Sequence, residues 1–62
     1  MTNLNEAILA KWEEITTLVE NVGQEVQKNA NGNGAAGTRA RKGLRNLKSL
    51  SAELVRITLN KS

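Results

Sequence analysis

The chain contains no cysteine and no histidine. Disulfide frameworks, zinc sites and thiol or imidazole chemistry are therefore excluded. Catalysis without them would need paired carboxylates, an activated lysine or an activated hydroxyl, and no arrangement of these converges. Glu13 and Glu14 are neighbours, but adjacent helical residues diverge by about 100° and cannot share a metal or substrate. No catalytic residue, no cofactor and no metal is expected, and the chain reads as a non-enzyme. Trp12 is the single aromatic residue, too little for recognition of single strands by base stacking. No leader pattern and no apolar run long enough to span a bilayer is visible, so the expectation is a soluble cytoplasmic protein without a membrane partner. Sixty-two residues allow one domain, and below roughly 70 to 80 residues a lone core seldom supplies more than about 3 to 5 kcal/mol. With disulfides and metals gone, a second chain is the remaining source of stability.

A further absence is local. From Val26 to Ala52 there is no Asp or Glu, while the same stretch holds Lys28, Arg39, Arg41, Lys42, Arg45 and Lys48. Residues 1 to 29 carry five acids against two bases, net −3, and residues 30 to 62 carry seven bases against one acid, net +6. The overall +3 hides a basic half, an asymmetry that points to a polyanionic partner.

What is present is helical periodicity. Ile8, Trp12, Ile15, Val19, Val22 and Val26 are spaced 4, 3, 4, 3, 4, which keeps one apolar seam facing a partner helix. On this reading Trp12 is a core residue. Thr2 or Asn3 can cap the helix, with Glu6 in the first turn where the macrodipole favours an acid. Asn29 to Gly34 tolerates positive φ and competes with helical hydrogen bonding. A second seam follows in Ala36, Ala40, Gly43, Leu47, Leu50, Leu54 and Ile57, spaced 4, 3, 4, 3, 4, 3.

The predicted elements are a helix over 3–29, a Gly/Asn-rich turn over 30–34 and a basic helix over 35–60, all within one domain spanning residues 1–62. Matched long helices and a short turn give an all-α fold, an antiparallel helical hairpin. Small Ala36, Ala40 and Gly43 would face Val22, Gly23 and Val26 near the turn, with Leu50, Leu54 and Ile57 against Ile8 and Trp12 at the open end. Leu4, Leu9, Leu18, Leu44, Val55 and Leu59 lie beside or outside the narrow seam, more apolar surface than one partner helix covers. A homodimer is expected, as a four-helix bundle.

On a wheel of about 100° per residue with Arg39 at zero, the second seam centres near 60°, and Arg41, Lys42, Arg45, Lys48 and Arg56 fall between about 180° and 300°. The cations stand opposite the core, over about 22 Å of helix from Arg41 to Arg56, long enough to meet several phosphates of a duplex with one charge per ~1.7 Å of axis. A charged helix face is often mere solvated surface, but such faces gain from alternating signs. Here like charges at 41 and 45, and at 45 and 48, repel instead.

Gly32-Asn33-Gly34-Ala35-Ala36-Gly37 matches the pattern G-x-G-x-x-G, but a helix precedes it and no βαβ unit fits, so no dinucleotide cofactor is implied. A glycine-rich helix start can still offer free amides to a phosphate. The candidate DNA-binding residues are thus Arg39, Arg41, Lys42, Arg45, Lys48 and Arg56, with Gly34, Gly37 and Thr38 at the turn. Nothing resembles a helix-turn-helix reader, and Asn46 is the one additional base-reading candidate on the basic helix. RNA is an alternative ligand for the same face, and an acidic protein partner is another.

The string from Gly32 to Lys48, with Gly-Asn-Gly-Ala-Ala followed by Arg39-Ala40-Arg41-Lys42, resembles the bacterial histone-like nucleoproteins of the chlamydial linker-histone type. The resemblance covers about half the chain strongly, and the first helix in pattern alone. It implies a nucleoid-associated protein that binds double-stranded DNA with little sequence preference and compacts it, with Arg39, Arg41, Lys42, Arg45 and Lys48 at the positions of the basic motif. Several members of that family continue into a long tail rich in Lys, Ala and Pro. This sequence shows none after Lys61 and Ser62, so the expectation is a compact form acting through its structured part.

Overall fold

The computed structural model describes residues 4–61, and the expected cap at Thr2 or Asn3 lies outside them. Helix α1 runs over Leu4–Ala30 and helix α2 over Gly34–Lys61. They pack on each other along a slender hairpin of 44 × 16 × 15 Å, and no strand occurs among the described residues.

Three residues make the reversal. Gly32 takes φ +103°, the single positive φ among the described residues, a conformation that costs glycine nothing and other residues strain. Its N–H donates to the Asn29 carbonyl at 3.0 Å and the Asn33 N–H donates to the Lys28 carbonyl at 3.1 Å. This is the Schellman arrangement, which satisfies the last carbonyls of α1. Asn33 then starts α2: its Oδ1 accepts from the Ala36 N–H at 3.0 Å, the third residue of the new helix, as an N-cap should. The Asn29 side chain ties both together by donating from Nδ2 to the Asn33 carbonyl at 3.1 Å. One Gly and two Asn thus close one helix and open the next with no spare residue.

The core is narrow and sits near the turn. Ile15, Val22, Ala36 and Ala40 are buried, as are Gly37 and Gly43. A methyl at Gly43 would overlap Val22 Cγ2, and one at Gly37 would run into the Asn29 amide, so the helices approach as closely as the missing side chains permit. Toward the open end Leu47, Leu50, Leu54 and Ile57 are half-buried. The whole predicted seam of α2 faces inward.

The seam of α1 differs from expectation. Ile8, Lys11, Ile15, Leu18, Val22 and Glu25 turn toward α2, whereas Trp12 is 55% exposed and Val19 and Val26 are also exposed. Trp12 is therefore not a core residue of the hairpin. The reason is that α1 carries apolar side chains on more of its circumference than one helix can cover, and two charged positions fix the rotation. Lys11 Nζ reaches Glu53 at 2.8 Å, and Glu25 accepts from Arg39 Nε at 2.9 Å. Each pair crosses the hairpin, and each pair of numbers adds to 64, the register set by a turn centred on Gly32.

Candidate nucleic-acid interface

Because Ala36, Ala40 and Gly43 point at α1, the residues between them on α2 point away from it. Arg41, Lys42, Arg45, Lys48 and Arg56 are all exposed on this outer edge. The ion pairs among the described residues join Lys11 to Glu14 and Glu53, Lys28 to Glu25, and Arg39 to Glu25. Arg41, Lys42, Arg45 and Lys48 appear in none of them. Like charges one turn apart cost an isolated helix a few tenths of a kcal/mol per pair, so this edge is held in place by packing on the opposite side of α2.

Arg39 stands apart from the row. Its side chain is half exposed and its Nε is held at 2.9 Å by Glu25 Oε2 across the helix interface, so it links structure and surface. At the turn, Thr38 Oγ1 accepts from Arg41 Nη2 at 3.3 Å, steadying the first cation of the row. Gly34 is exposed, with open space where a Cβ would be. Gly37 is buried beneath Asn29 and its N–H donates to the Asn33 carbonyl at 3.4 Å, which places it under the turn rather than on its surface. The Ala36 N–H is taken by the Asn33 cap, and the first-turn amides of Gly34 and Ala35 donate to no partner among the described residues.

One side of the hairpin is a groove between the helices lined by Leu18, Val22 and Leu50, with Glu14, Thr17 and Asn21 on one wall and Lys42, Asn46 and Ser49 on the other. Lys42 therefore borders both this groove and the outer edge. Among the described residues no three His, Cys, Asp or Glu come together in a way that could hold a metal ion, and no helix is long and apolar enough to cross a membrane.

Among the described residues two ionised groups are shifted, and both belong to the clasp at the open end. Hydrogen bonding to Glu53, then to Glu14, raises the Lys11 ammonium above its ordinary value. The hydrogen bond from Lys11, then its charge, holds the Glu53 carboxyl below the usual range. Sequence reasoning missed Lys11, Glu25 and Glu53 as partners across the hairpin. The signal was available, since a turn centred on residue 32 sets opposite charges level at 11 and 53 and at 25 and 39.

In comparison with known families, the model of histone H1-like protein Hc1 matches residues 10–56. The matched stretch includes the turn, the small-residue interface, Arg39 and the cation row from Arg41 to Arg56. No curated protein and no solved structure matches the chain.

Proposed function

The chain belongs to the histone H1-like Hc1 family, and from that premise we propose that it is a nucleoid-associated protein that binds duplex DNA through phosphate contacts, with little sequence preference, and organises or compacts it. The observation that carries this reading is the acid-free outer edge of α2, where exposed Arg41, Lys42, Arg45 and Lys48 form no ion pair with a carboxylate among the described residues. Phosphate contacts fix a protein on the duplex without reading bases. A rigid helix edge bearing cations one turn apart supplies such contacts and little else. Arg56 extends the row, Thr38 and the Gly34 amide add contacts at its start, and Arg39 joins by exchanging Glu25 for a phosphate. A homodimer doubles the row, and its site of action is the nucleoid.

The mechanism is counterion release. If a dimer neutralises about eight phosphates, log affinity falls against log salt with a slope near −7. The test is fluorescence anisotropy of a labelled random-sequence 30-mer duplex from 50 to 300 mM salt, with structured RNA as unlabelled competitor. Submicromolar binding, a steep slope and weak RNA competition are expected. Absence of binding at 50 mM salt refutes the reading, and efficient displacement by RNA transfers the face to RNA.

A further inference from the structure

The two sides of the hairpin are unlike. Opposite the groove, six of the seven exposed large hydrophobic residues among those described gather on one face: Leu9, Trp12, Val19 and Val26 of α1 with Leu44 and Val55 of α2, between 44% and 66% exposed. At about 100° per residue all six lie roughly 50° to 150° around from the interhelix stripe, in the same sense on both helices. The face measures about 44 by 16 Å, on the order of 700 Å². Covering it with a second copy would bury about 1,400 Å² in total, within the 1,200 to 2,000 Å² of standard stable interfaces.

We propose that this face binds a second copy of the chain about a two-fold axis parallel to the helices, so that each α1 lies on the partner's α2 and the cation rows end up on opposite sides of the four-helix bundle. The proposal deepens the DNA-binding reading, on which its functional consequence rests.

Charge and size choose this arrangement over its rival. The outer edge of α1 carries Glu13 and Glu20, and the outer side of α2 carries Arg41 and Lys48. With the axis along the helices, both turns lie at the same end, and residue i comes level with the partner's residue 64 − i, the register of the hairpin itself. Glu20 then falls between the heights of the partner's Arg41 and Lys48, and Glu13 lies within about one turn of the partner's Lys48. Leu9 meets the partner's Val55, Val19 meets the partner's Leu44, and the large Trp12 comes over the partner's small Ser51 and Ala52. The alternative two-fold, across the helices, stacks α1 on α1 and α2 on α2. It sets acids beside acids and cations beside cations, an arrangement that like-charge repulsion disfavours.

The two arrangements do different things to DNA. The rival would put both cation rows on one side and coat a single duplex. The arrangement proposed here directs them to opposite sides, and the dimer joins two duplexes.

The natural absence of cysteine makes the geometry directly testable. Light scattering on the unaltered chain should give about twice the 6.7 kDa of one chain, and Trp12 emission should shift to the red as the protein is diluted and the ring becomes exposed. Chains carrying Val19→Cys and chains carrying Leu44→Cys should form a disulfide-linked heterodimer when mixed under mild oxidation, well ahead of either alone. A 6.7 kDa species at all micromolar concentrations, with unchanging Trp12 emission, overturns the interface. Self-linking of Val19→Cys as fast as the mixed pair overturns the orientation. For the consequence, a bead-bound duplex should retain a second, labelled duplex only when protein is present. Normal binding of the first duplex without capture of the second overturns bridging. A correctly linked dimer that binds no DNA at all refutes the DNA reading and leaves the interface standing.

Discussion

Replacing Gly43 by Ala tests the close approach on which the hairpin depends. In an exposed helix the change would be favourable by about 0.8 to 1 kcal/mol, because alanine loses less backbone freedom. Here the new methyl would overlap Val22 Cγ2, with Leu18 Cδ1 at 4.0 Å. Val22 is buried and β-branched, so its χ1 has little freedom to move aside, and overpacking of this kind costs about 1 to 3 kcal/mol. Subtracting the helical gain leaves a net loss of about 1 kcal/mol, or a fall in Tm of roughly 4 to 8 °C for a domain of this size. Thermal melts followed by circular dichroism at 222 nm, at one fixed protein concentration, measure it. Gly34→Ala is the control, since nothing lies within 4 Å of its added carbon, and it should leave Tm unchanged or slightly higher. Combining Gly43→Ala with Val22→Ala gives the new methyl the space that Val22 vacates, so the double mutant should be more stable than the two single losses predict, by about 1 kcal/mol. A rise in Tm for Gly43→Ala alone, or a double mutant that is simply additive, would refute the claim that Val22 seats against Gly43.

Charge reversal at Lys42 and Arg45 together should abolish duplex binding at 150 mM salt and leave helicity and oligomeric mass intact, because both side chains are exposed and neither faces the partner's Glu13 or Glu20; loss of the fold in circular dichroism would show that they serve the structure. Glu25→Gln should free Arg39 from its 2.9 Å clasp, tighten DNA binding and steepen the salt slope by about 0.9 per protomer, and an unchanged slope would mean that Arg39 never reaches a phosphate. With no histidine and no cysteine, the chain lacks the side-chain types whose ordinary values fall between about 5 and 9, and stability should be flat in pH over that range. Glu53 has a lowered folded pKa, so its contribution is complete above the ordinary carboxyl pKa of about 4.3 and is lost as pH falls through the lower folded value. Lys11 has a raised folded pKa, so its contribution is complete below about pH 10.4 and disappears as pH rises through the higher folded value. Guanidinium unfolding of Lys11→Gln should show a weaker dependence at both extremes than the unaltered chain, and identical profiles would exclude the clasp as their source.

The hairpin was legible because α2 reads the same way by period and by size. Its inward positions are apolar at 4, 3 spacing and also small where the turn brings the helices together. The Gly-Asn pair likewise announces a reversal in residue types that only a cap and a positive φ require. The rotation of α1 was not legible from periodicity, because Trp12, Val19 and Val26 continue the heptad as well as Leu18 does. Hydrophobicity ranked Lys11 and Glu25 as outward, yet their long stems lie along the interface while their charged ends meet Glu53 and Arg39, as amphipathic side chains permit. The cation row on α2 was legible from spacing alone. That Arg39 belongs partly to the fold, and that Gly37 lies beneath Asn29, depends on contacts between helices that no local pattern records.

The division of labour between the helices follows from a constraint on α2. A helix that presents cations one turn apart cannot intersperse acids among them without cancelling the field that attracts a polyanion. It therefore forgoes the i, i+4 pairs that steady exposed helices, and its acid-free first turns include the stretch where glycine at 37 and 43 further lowers helical propensity. Stability must come from α1 and must leave the outer edge of α2 untouched. The described contacts meet both requirements. α1 supplies Ile15 and Val22 to the small-residue groove, and its acid Glu25 is spent on Arg39, the cation nearest the interface, rather than on the row beyond it. The acids of α1 that remain outward, Glu13 and Glu20, stand on the edge farthest from the cations of their own protomer. In the two-fold arrangement proposed above they lie beside Arg41 and Lys48 of the other, so that part of each row is paired across the dimer, while Lys42, Arg45 and Arg56 lean away from the partner's acids and remain open to phosphates.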